Sequence, residues 1–194
     1  MLVKGIKSRP VYTGLTIDPH AKRHIFAVEG DGVEAVLDQV KSVGSAFLAT
    51  SEILCVGRAA RLETLKPYDL WSAPTISILL YRFRAMLQNA KMGLRLYISG
   101  TEGFIGQVMQ VASECGIDFN SIRTEHRGSD ARRVQCVHCK GITDDVKTSP
   151  YICTHCGLSL LVRDHYSRRI AAFQGVCIDA EEPGTAPAPE LMFP

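Results

Sequence analysis

A chain of 194 residues, 46% of them hydrophobic and 22% charged, has the composition of a globular protein with one medium domain, or with a domain and a small module. No apolar run approaches the roughly 20 residues that a membrane span needs, and the N-terminus shows no signal-peptide pattern. We therefore expect a cytoplasmic protein without a membrane anchor. The formal net charge of +2 says little about partners, so the local placement of charge and cysteine matters more.

The chain is expected to begin with an N-terminal arm over residues 1–22, because this stretch is polar and contains Pro10 and Pro19. Residues 24–28 form a short apolar run followed by glycines. This pattern predicts a buried strand.

Helical spacing follows the first strand. Apolar residues recur at helical intervals over residues 33–43, and Gly44 ends the pattern. Two short apolar runs, residues 46–49 and 53–56, predict further strands. Residues 58–73 are rich in charge, and we interpret them as a connection.

A second strand–helix alternation completes the predicted domain. Residues 74–91 have one apolar face and predict a helix, residues 94–98 alternate as a strand does, and residues 104–115 predict another helix. Strands alternating with helices across short glycine turns indicate an α/β fold with a parallel sheet. We expect this α/β domain to span residues 23–128.

The turn between the last predicted strand and helix is a candidate cofactor-binding site, formed by Gly100, Gly103 and Phe104. The carboxyl end of a strand beside a helix N-terminus is a common ligand position in open α/β sheets. The alternative is a plain strand-to-helix turn that needs glycine for steric reasons alone.

This segment resembles the pyridine-nucleotide domain of ferredoxin-NADP reductase-type flavoproteins. That family carries a strand, a Cys-Gly-Pro-x-x-Phe turn, a helix and an Ile-His-x-Glu-x-Phe stretch. Here the corresponding residues are Ser99-Gly-Thr-Glu-Gly-Phe104 and Ile122-Arg-Thr-Glu125, and Ala27–Gly32 is similar to the family's first glycine turn. The resemblance covers roughly residues 23–128 and implies a truncated reductase-like domain.

The chain departs from that family at places that bind cofactors. Ser99 replaces the cysteine of the turn, and Glu29, Asp31 and Glu34 flank a loop that meets pyrophosphate in the family. Carboxylates beside a phosphate site repel the ligand. About twenty residues precede the first strand, which leaves no room there for a flavin-binding barrel. We expect a reductase-derived scaffold that has lost flavin binding, and two alternatives stay open for the nucleotide: NADPH binding is lost as well, or it survives near Gly100 and Phe104.

Four cysteines form two Cys-x-x-Cys pairs, Cys136 with Cys139 and Cys153 with Cys156. Such spacing brings four thiolates into a tetrahedron that suits Zn²⁺ or a mononuclear Fe. The alternatives are two disulfides or four free thiols, and disulfides require an oxidising compartment. We favour Zn²⁺ over Fe, although the ligand set accepts both.

The cysteine pairs define a small module after a charged linker. We place the linker at residues 127–133, a Cys₄ metal module at residues 134–174 and a mobile, extended tail at residues 179–194. Two short β-hairpins clamped by one metal, as in zinc ribbons and rubredoxins, are the expected structure. His138 and His155 occupy positions within the two pairs, and we expect them outside the ligand shell because four cysteines complete a tetrahedron.

Basic residues flank the module on both sides. Before it lie Arg123, His126, Arg127, Arg132 and Arg133, and after it lie Arg163, His165, Arg168 and Arg169. The basic segments could dock an acidic protein partner, contact nucleic acid or form an ordinary solvated face. The near-neutral total charge and few aromatic residues argue against nucleic acid.

The segment from Tyr151 to Val176, with its Arg163–Arg169 motif, resembles the C-terminal module of the DmmA-like family of dimethylamine monooxygenase subunits. The resemblance implies a subunit of an NADPH-dependent complex for oxidative N-demethylation that is not catalytic alone. It also implies a heme-containing catalytic subunit and a reductase subunit with FMN and a [2Fe–2S] cluster as partners. Two functions stay open: a docking or electron-relay subunit of such a complex, or a free-standing zinc-ribbon protein that binds an acidic partner or nucleic acid.

Overall fold

The computed structural model describes residues 8–57 and 60–194, which form two compact units. The first, here called the α/β unit, comprises residues 12–128. The second, called the cysteine unit, comprises residues 129–194 together with residues 8–11.

Of the predicted N-terminal arm, residues 1–7 lie outside the described part of the chain. Residues 8–22 form neither helix nor strand, and they divide between the two units. The arm is therefore part of both units where it is described.

The α/β unit contains a five-stranded parallel sheet. Its strands are β1 (Arg23–Glu29), β2 (Ser51–Val56), β3 (Asp69–Ala73), β4 (Leu94–Gly100) and β5 (Ile122–His126). Its helices are α1 (Gly32–Val43), α2 (Ala60–Glu63), α3 (Ile76–Leu87) and α4 (Glu102–Glu114). The strand order is β3-β2-β1-β4-β5, and every neighbouring pair is parallel. The predicted α/β class with a parallel sheet is confirmed.

Both faces of this sheet are covered, which explains why its central strands are apolar runs instead of alternating ones. On β1, Ile25 and Ala27 face a cluster formed with α3 and α4, whereas Phe26 and Val28 face a cluster formed with α1. All four side chains are buried. Helix α4 has 13 residues, and no helix in the described ranges has the length and apolarity required of a membrane span.

Gly32 brings the start of α1 against the end of β4. A Cβ atom at this position would lie 2.2 Å from the carbonyl oxygen of Ser99, which is backbone and has no room to move. The glycine after β1 is therefore required by close packing of two backbone segments.

Two local predictions in this unit are wrong. Residues 46–50 form a 3₁₀ turn and not a strand, because the Thr50 and Ser51 hydroxyls donate to the carbonyl of Phe47 and close the chain on itself. Within the predicted connection of residues 58–73 lies the edge strand β3, which pairs with β2 on one side only.

The cysteine unit contains a five-stranded sheet and a two-stranded sheet, and it is larger than the two expected hairpins. Its strands are β6 (Arg132–Cys136), β7 (Ile142–Val146), β8 (Thr148–Ser149), β9 (Tyr151–Ile152), β10 (Ser159–Ser167), β11 (Ala172–Cys177) and β12 (Glu190–Leu191). The order in the main sheet is β7-β6-β11-β10-β9. Strand β11 lies between the two hairpins and gives the unit a core of its own, including Val134, Leu160 and Phe173.

The tail, expected to be extended and mobile, makes specific contacts near its end. Strand β12 pairs with β8, and the carbonyl oxygen of Pro194 accepts hydrogen bonds from the Asp130 amide (2.7 Å) and the Ser129 hydroxyl (3.0 Å). Phe193 is buried in the core of the unit. The mobility of residues 179–194 stays a prediction, and their composition did not indicate that one aromatic side chain anchors the end of the chain.

Candidate metal centre

The four paired cysteines converge at one end of the cysteine unit. Strand β6 ends at Cys136, and the turn after it carries Cys139. Strand β9 leads directly into Cys153, and the turn before β10 carries Cys156. The four sulfur atoms all lie within 4.8 Å of one another, so the two turns form a single four-thiol cluster.

Two of the sulfur–sulfur distances match the edge of a tetrahedral metal site. The Cys136 and Cys156 sulfurs are 3.8 Å apart, and so are those of Cys139 and Cys153. A tetrahedron with metal–sulfur bonds of about 2.3 Å has edges of about 3.8 Å. A disulfide would need about 2.05 Å, and all seven cysteines are free thiols here. The cysteines therefore fit a four-coordinate metal ion of the type that thiolates bind.

The two cysteine turns have the same backbone hydrogen bonds. In the first, the Lys140 amide donates to the carbonyl of Cys136 (3.0 Å), and in the second the Gly157 amide donates to the carbonyl of Cys153 (3.0 Å). The Cys136 amide donates to the carbonyl of Gly141, and the Cys153 amide donates to the carbonyl of Leu158, both at 2.9 Å. This repeated geometry aims the sulfurs of both turns at a common point.

The residue after each Cys-x-x-Cys pair adopts a left-handed backbone conformation. Gly157 has φ +75° and Lys140 has φ +63°. Glycine adopts this conformation without strain, whereas a lysine does so at a cost of about 1–2 kcal/mol. The left-handed conformation explains the glycine after the second pair, whereas Lys140 adopts the same conformation after the first pair.

His155 joins the two turns from outside the ligand shell. A Cβ atom on Gly141 would lie 2.4 Å from the His155 ring, so the ring leaves no space for a side chain at this position. Its Nε2 is 2.9 Å from the Ile142 carbonyl oxygen. His138 is exposed. The contact of His155 was not predicted, and its signal in the sequence is the glycine at position 141.

The cluster is buried on one side and open on the other. Cys136 and Cys153 are buried, Cys156 is half-buried and Cys139 is exposed. The amide of Gly141 donates to the Cys139 sulfur at 3.4 Å. The open side of the cluster is therefore the side at Cys139.

Neighbouring groups make the cysteines unequal as acids. Burial raises the pKa of Cys153, but donation from the His155 and Cys156 amides and from neighbouring thiols brings that pKa down to about 7. Its neighbour Cys156 has a pKa raised to about 12: the Leu158 amide lowers it, but burial and bonds to the other thiols outweigh that effect. Four thiolates this close require a cation to ionise together.

The candidate cofactor-binding turn at Gly100, Gly103 and Phe104 lies in the α/β unit and is tightly packed. Phe104 is fully buried, and a Cβ atom on Gly100 would lie 2.9 Å from its ring and 3.0 Å from the Glu29 side chain. Gly103 lies in the first turn of α4, which Thr101 caps by accepting from the Phe104 amide (3.4 Å). The three predicted residues are together, but Phe104 presents no surface to a ligand. Their role in binding a cofactor stays a prediction.

Sequence reasoning found the acidic residues beside this turn but not the contact that Glu29 makes. One Glu29 carboxylate oxygen accepts a hydrogen bond from the Thr101 hydroxyl at 2.7 Å and another from the Thr101 amide at 3.4 Å. An acidic side chain of the chain itself thus lies at the N-terminus of α4.

The basic residues around the module have different environments. Arg132 is buried and pairs with Asp164 (2.6 Å), and Arg127 pairs with Glu125 and Asp38. On the β10–β11 hairpin, the exposed basic residues are His165, Arg168 and Arg169. The predicted basic surface is therefore confined mainly to this hairpin.

The structure defines a class of two-part protein, in which a parallel α/β unit is followed by a β unit that carries a four-thiol cluster. Residues 4–122 match the model of the N-terminal domain of the "Dimethylamine monooxygenase subunit DmmA-like" family, and residues 133–176 match the model of its C-terminal domain. The chain belongs to this family.

One relative is similar along nearly the whole chain. It is the "Heme-dependent oxidative N-demethylase delta subunit" of Ectopseudomonas mendocina (strain ymp), 28% identical over 179 residues that make up 91% of each chain.

Solved structures give a weaker likeness. The ferredoxin reductase of carbazole 1,9a-dioxygenase is 10% identical, with a TM-score of 0.43 over 59% of this chain and 34% of that one. Flavohemoglobin from Malassezia yamatoensis is 14% identical, with a TM-score of 0.40 over 59% of this chain and 33% of that one. The chain spans about a third of each of those structures, and its fold is defined by its own strand order.

Proposed function

We propose that this chain is a subunit of a multi-subunit, heme-dependent oxidative N-demethylase for secondary amines such as dimethylamine, and that it is not catalytic alone. Membership of the DmmA-like family and the full-length similarity to a delta subunit support this assignment. In the proposal, a heme-containing catalytic subunit and a reductase subunit with FMN and a [2Fe–2S] cluster, supplied by NADPH, are its partners. Its own contribution is to bind and hold those partners.

The four-thiol cluster is the single observation that carries the role of this chain within the complex. Cys136, Cys139, Cys153 and Cys156 would hold Zn²⁺, which supplies a cross-link between two β-hairpins and no redox chemistry. Around that cross-link the protein's own residues keep the exposed β10–β11 hairpin in a fixed position. A rigid basic hairpin suits docking onto an acidic protein surface.

Mononuclear Fe in the same cluster is a second candidate, and it would make the chain an electron relay. The observation that favours it is the exposure of Cys139, because a redox ion near the surface is within reach of a docked partner. Both candidates need a reducing environment to keep the thiols free, so we propose a cytoplasmic location.

Metal analysis with an absorption spectrum tests the role of the cluster. One equivalent of zinc and a featureless visible spectrum are the expected result, with loss of metal in Cys153→Ser and retention in Cys177→Ser. Cys177 is a matched control, since it lies in the same unit but outside the cluster. One equivalent of iron with visible thiolate bands that dithionite bleaches would move the assignment to an electron relay. Purified protein that binds neither zinc nor iron at these four cysteines would contradict both.

Co-expression with the heme and reductase subunits tests the assembly. We expect a tagged version of this chain to retain both subunits through size-exclusion chromatography. A stable monomer that ignores both subunits and binds nucleic acid in a salt-sensitive way would instead support a free-standing zinc-ribbon protein.

A further inference from the structure

The N-terminus of α4 is the place where an open parallel sheet ordinarily offers a phosphate site. In this chain it lies at the carboxyl ends of β1 and β4, next to the turn at Gly100. A helix of 13 residues presents its first amides and the positive end of its dipole at this point. Such an end attracts an anion of some kind.

The Glu29 side chain supplies that anion from within the chain. Glu29 is the last residue of β1, and one of its carboxylate oxygens accepts from both the amide and the hydroxyl of Thr101. The Asp31 carboxylate lies near Thr101 as well. A Cβ atom built on Gly128 would be 3.9 Å from Oδ2 of Asp31 and 3.7 Å from the methyl group of Thr101. An incoming phosphate would displace one carboxylate and approach a second.

The N-terminal arm contacts residues at the carboxyl end of β5, beside the start of α4. The Tyr12 hydroxyl donates to Glu102 at 3.1 Å, and its ring stacks on His126 with centroids 5.9 Å apart. Further along, the Leu15 amide donates to a Glu125 carboxylate oxygen at 2.8 Å. The arm thus occupies space above the strand ends with its own aromatic ring.

The arginine at this edge is also engaged within the unit. The Arg127 guanidinium contacts Glu125 at 2.5 Å and Asp38 at 3.1 Å, which ties β5 to α1. A phosphate would have to compete with two carboxylates for this cation.

We infer that Glu29 is a built-in anion that closes the α4 N-terminus, so that the α/β unit retains a nucleotide-domain architecture without binding a pyridine nucleotide there. The inference is independent of the metal in the cysteine unit and of the proposed complex. It assigns Glu29 a specific function, which is to replace a ligand phosphate by an internal carboxylate.

Calorimetric titration of the full-length protein with inorganic pyrophosphate and with NADPH tests this inference. We expect no saturable heat from the wild type with either probe, and pyrophosphate binding at least about tenfold tighter in Glu29→Ala, because the helix end then lacks its anion. Glu63→Ala removes an exposed carboxylate on α2 and is the control that should match the wild type. Glu29→Gln gives the same comparison with an uncharged side chain of equal size, should the alanine variant not fold.

Two results would overturn the inference. One is saturable, stoichiometric NADPH binding by the wild type. The other is a folded, neutral Glu29 variant that still binds no pyrophosphate, because the carboxylate would then not be what fills the anion position. Zinc content, measured in the same samples, reports separately on the proposed role of the cysteine cluster.

Discussion

At the scale of single residues, Arg132 organises the interior of the cysteine unit. Its guanidinium lies 4.1 Å from the centroid of the Phe173 ring and 4.1 Å from that of Phe193, so it is held between two aromatic faces. Its side chain is 5% exposed and pairs with Asp164, which is 55% exposed. One planar cation thus joins β6, β11 and the end of the chain.

We predict that Arg132→Lys destabilises the cysteine unit by about 1–2 kcal/mol, because an ammonium group cannot stack between two rings as a planar guanidinium does. Urea-induced unfolding, followed by a spectroscopic signal that comes from the cysteine unit, measures the change in its free energy of unfolding. Arg133→Lys is the matched control, since that neighbouring side chain pairs with Asp144, which is 64% exposed, and such pairs contribute about 0–1 kcal/mol. An equal loss of unfolding free energy in the two variants would contradict the role assigned to the stacking of Arg132 on Phe173 and Phe193.

At the scale of elements, the cysteine turns show how much a motif determines. Spacing alone predicted a single Cys₄ cluster, and the structure brings the four sulfurs together. Spacing did not predict that β11 would come back between the two hairpins, because its parallel pairing with β6 is non-local. The motif thus predicted the local geometry of the turns but not the sheet that supports them.

In the α/β unit too, local sequence patterns predicted some elements and missed those that depend on distant residues. Strand β1 and helix α1 were predictable because a continuous apolar run followed by glycines and a helical spacing of apolar residues are strong local signals. Edge strand β3 was missed because Asp69-Leu-Trp-Ser-Ala73 has neither alternation nor a continuous apolar run. The Glu29 contact was equally out of reach, since its partner Thr101 lies 72 residues away.

Equivalent positions in the two cysteine turns allow a paired prediction. Lys140→Gly should stabilise the cysteine unit by up to about 1 kcal/mol by relieving a left-handed lysine, less the gain in chain entropy when unfolded. Gly157→Ala should destabilise it by about 1 kcal/mol or more. Thermal unfolding of the metal-loaded protein measures both shifts, and shifts of the same sign would refute the equivalence of the turns.

At the scale of the whole molecule, each unit has its own core, and the metal cluster concerns one of them. The α/β unit has buried clusters on both sides of its sheet. The cysteine unit has one cluster, of which Cys136 and Cys153 are buried members. Its metal would connect the β6–β7 hairpin to the β9–β10 hairpin across β11.

Removal of the metal should therefore unfold the cysteine unit and leave the α/β unit folded. Structural zinc contributes folding free energy on the order of 10 kcal/mol, more than a single small core supplies alone. Hydrogen exchange measured by mass spectrometry, before and after a strong chelator, follows both units in one sample. We expect the amides of β6, β10 and β11 to lose protection and those of β1 and β4 to keep it, with Cys153→Ser giving the same pattern without chelator. Protection that persists in β6 and β11 would mean that the core around Phe173 is sufficient, and loss in β1 would mean that the units depend on each other for stability.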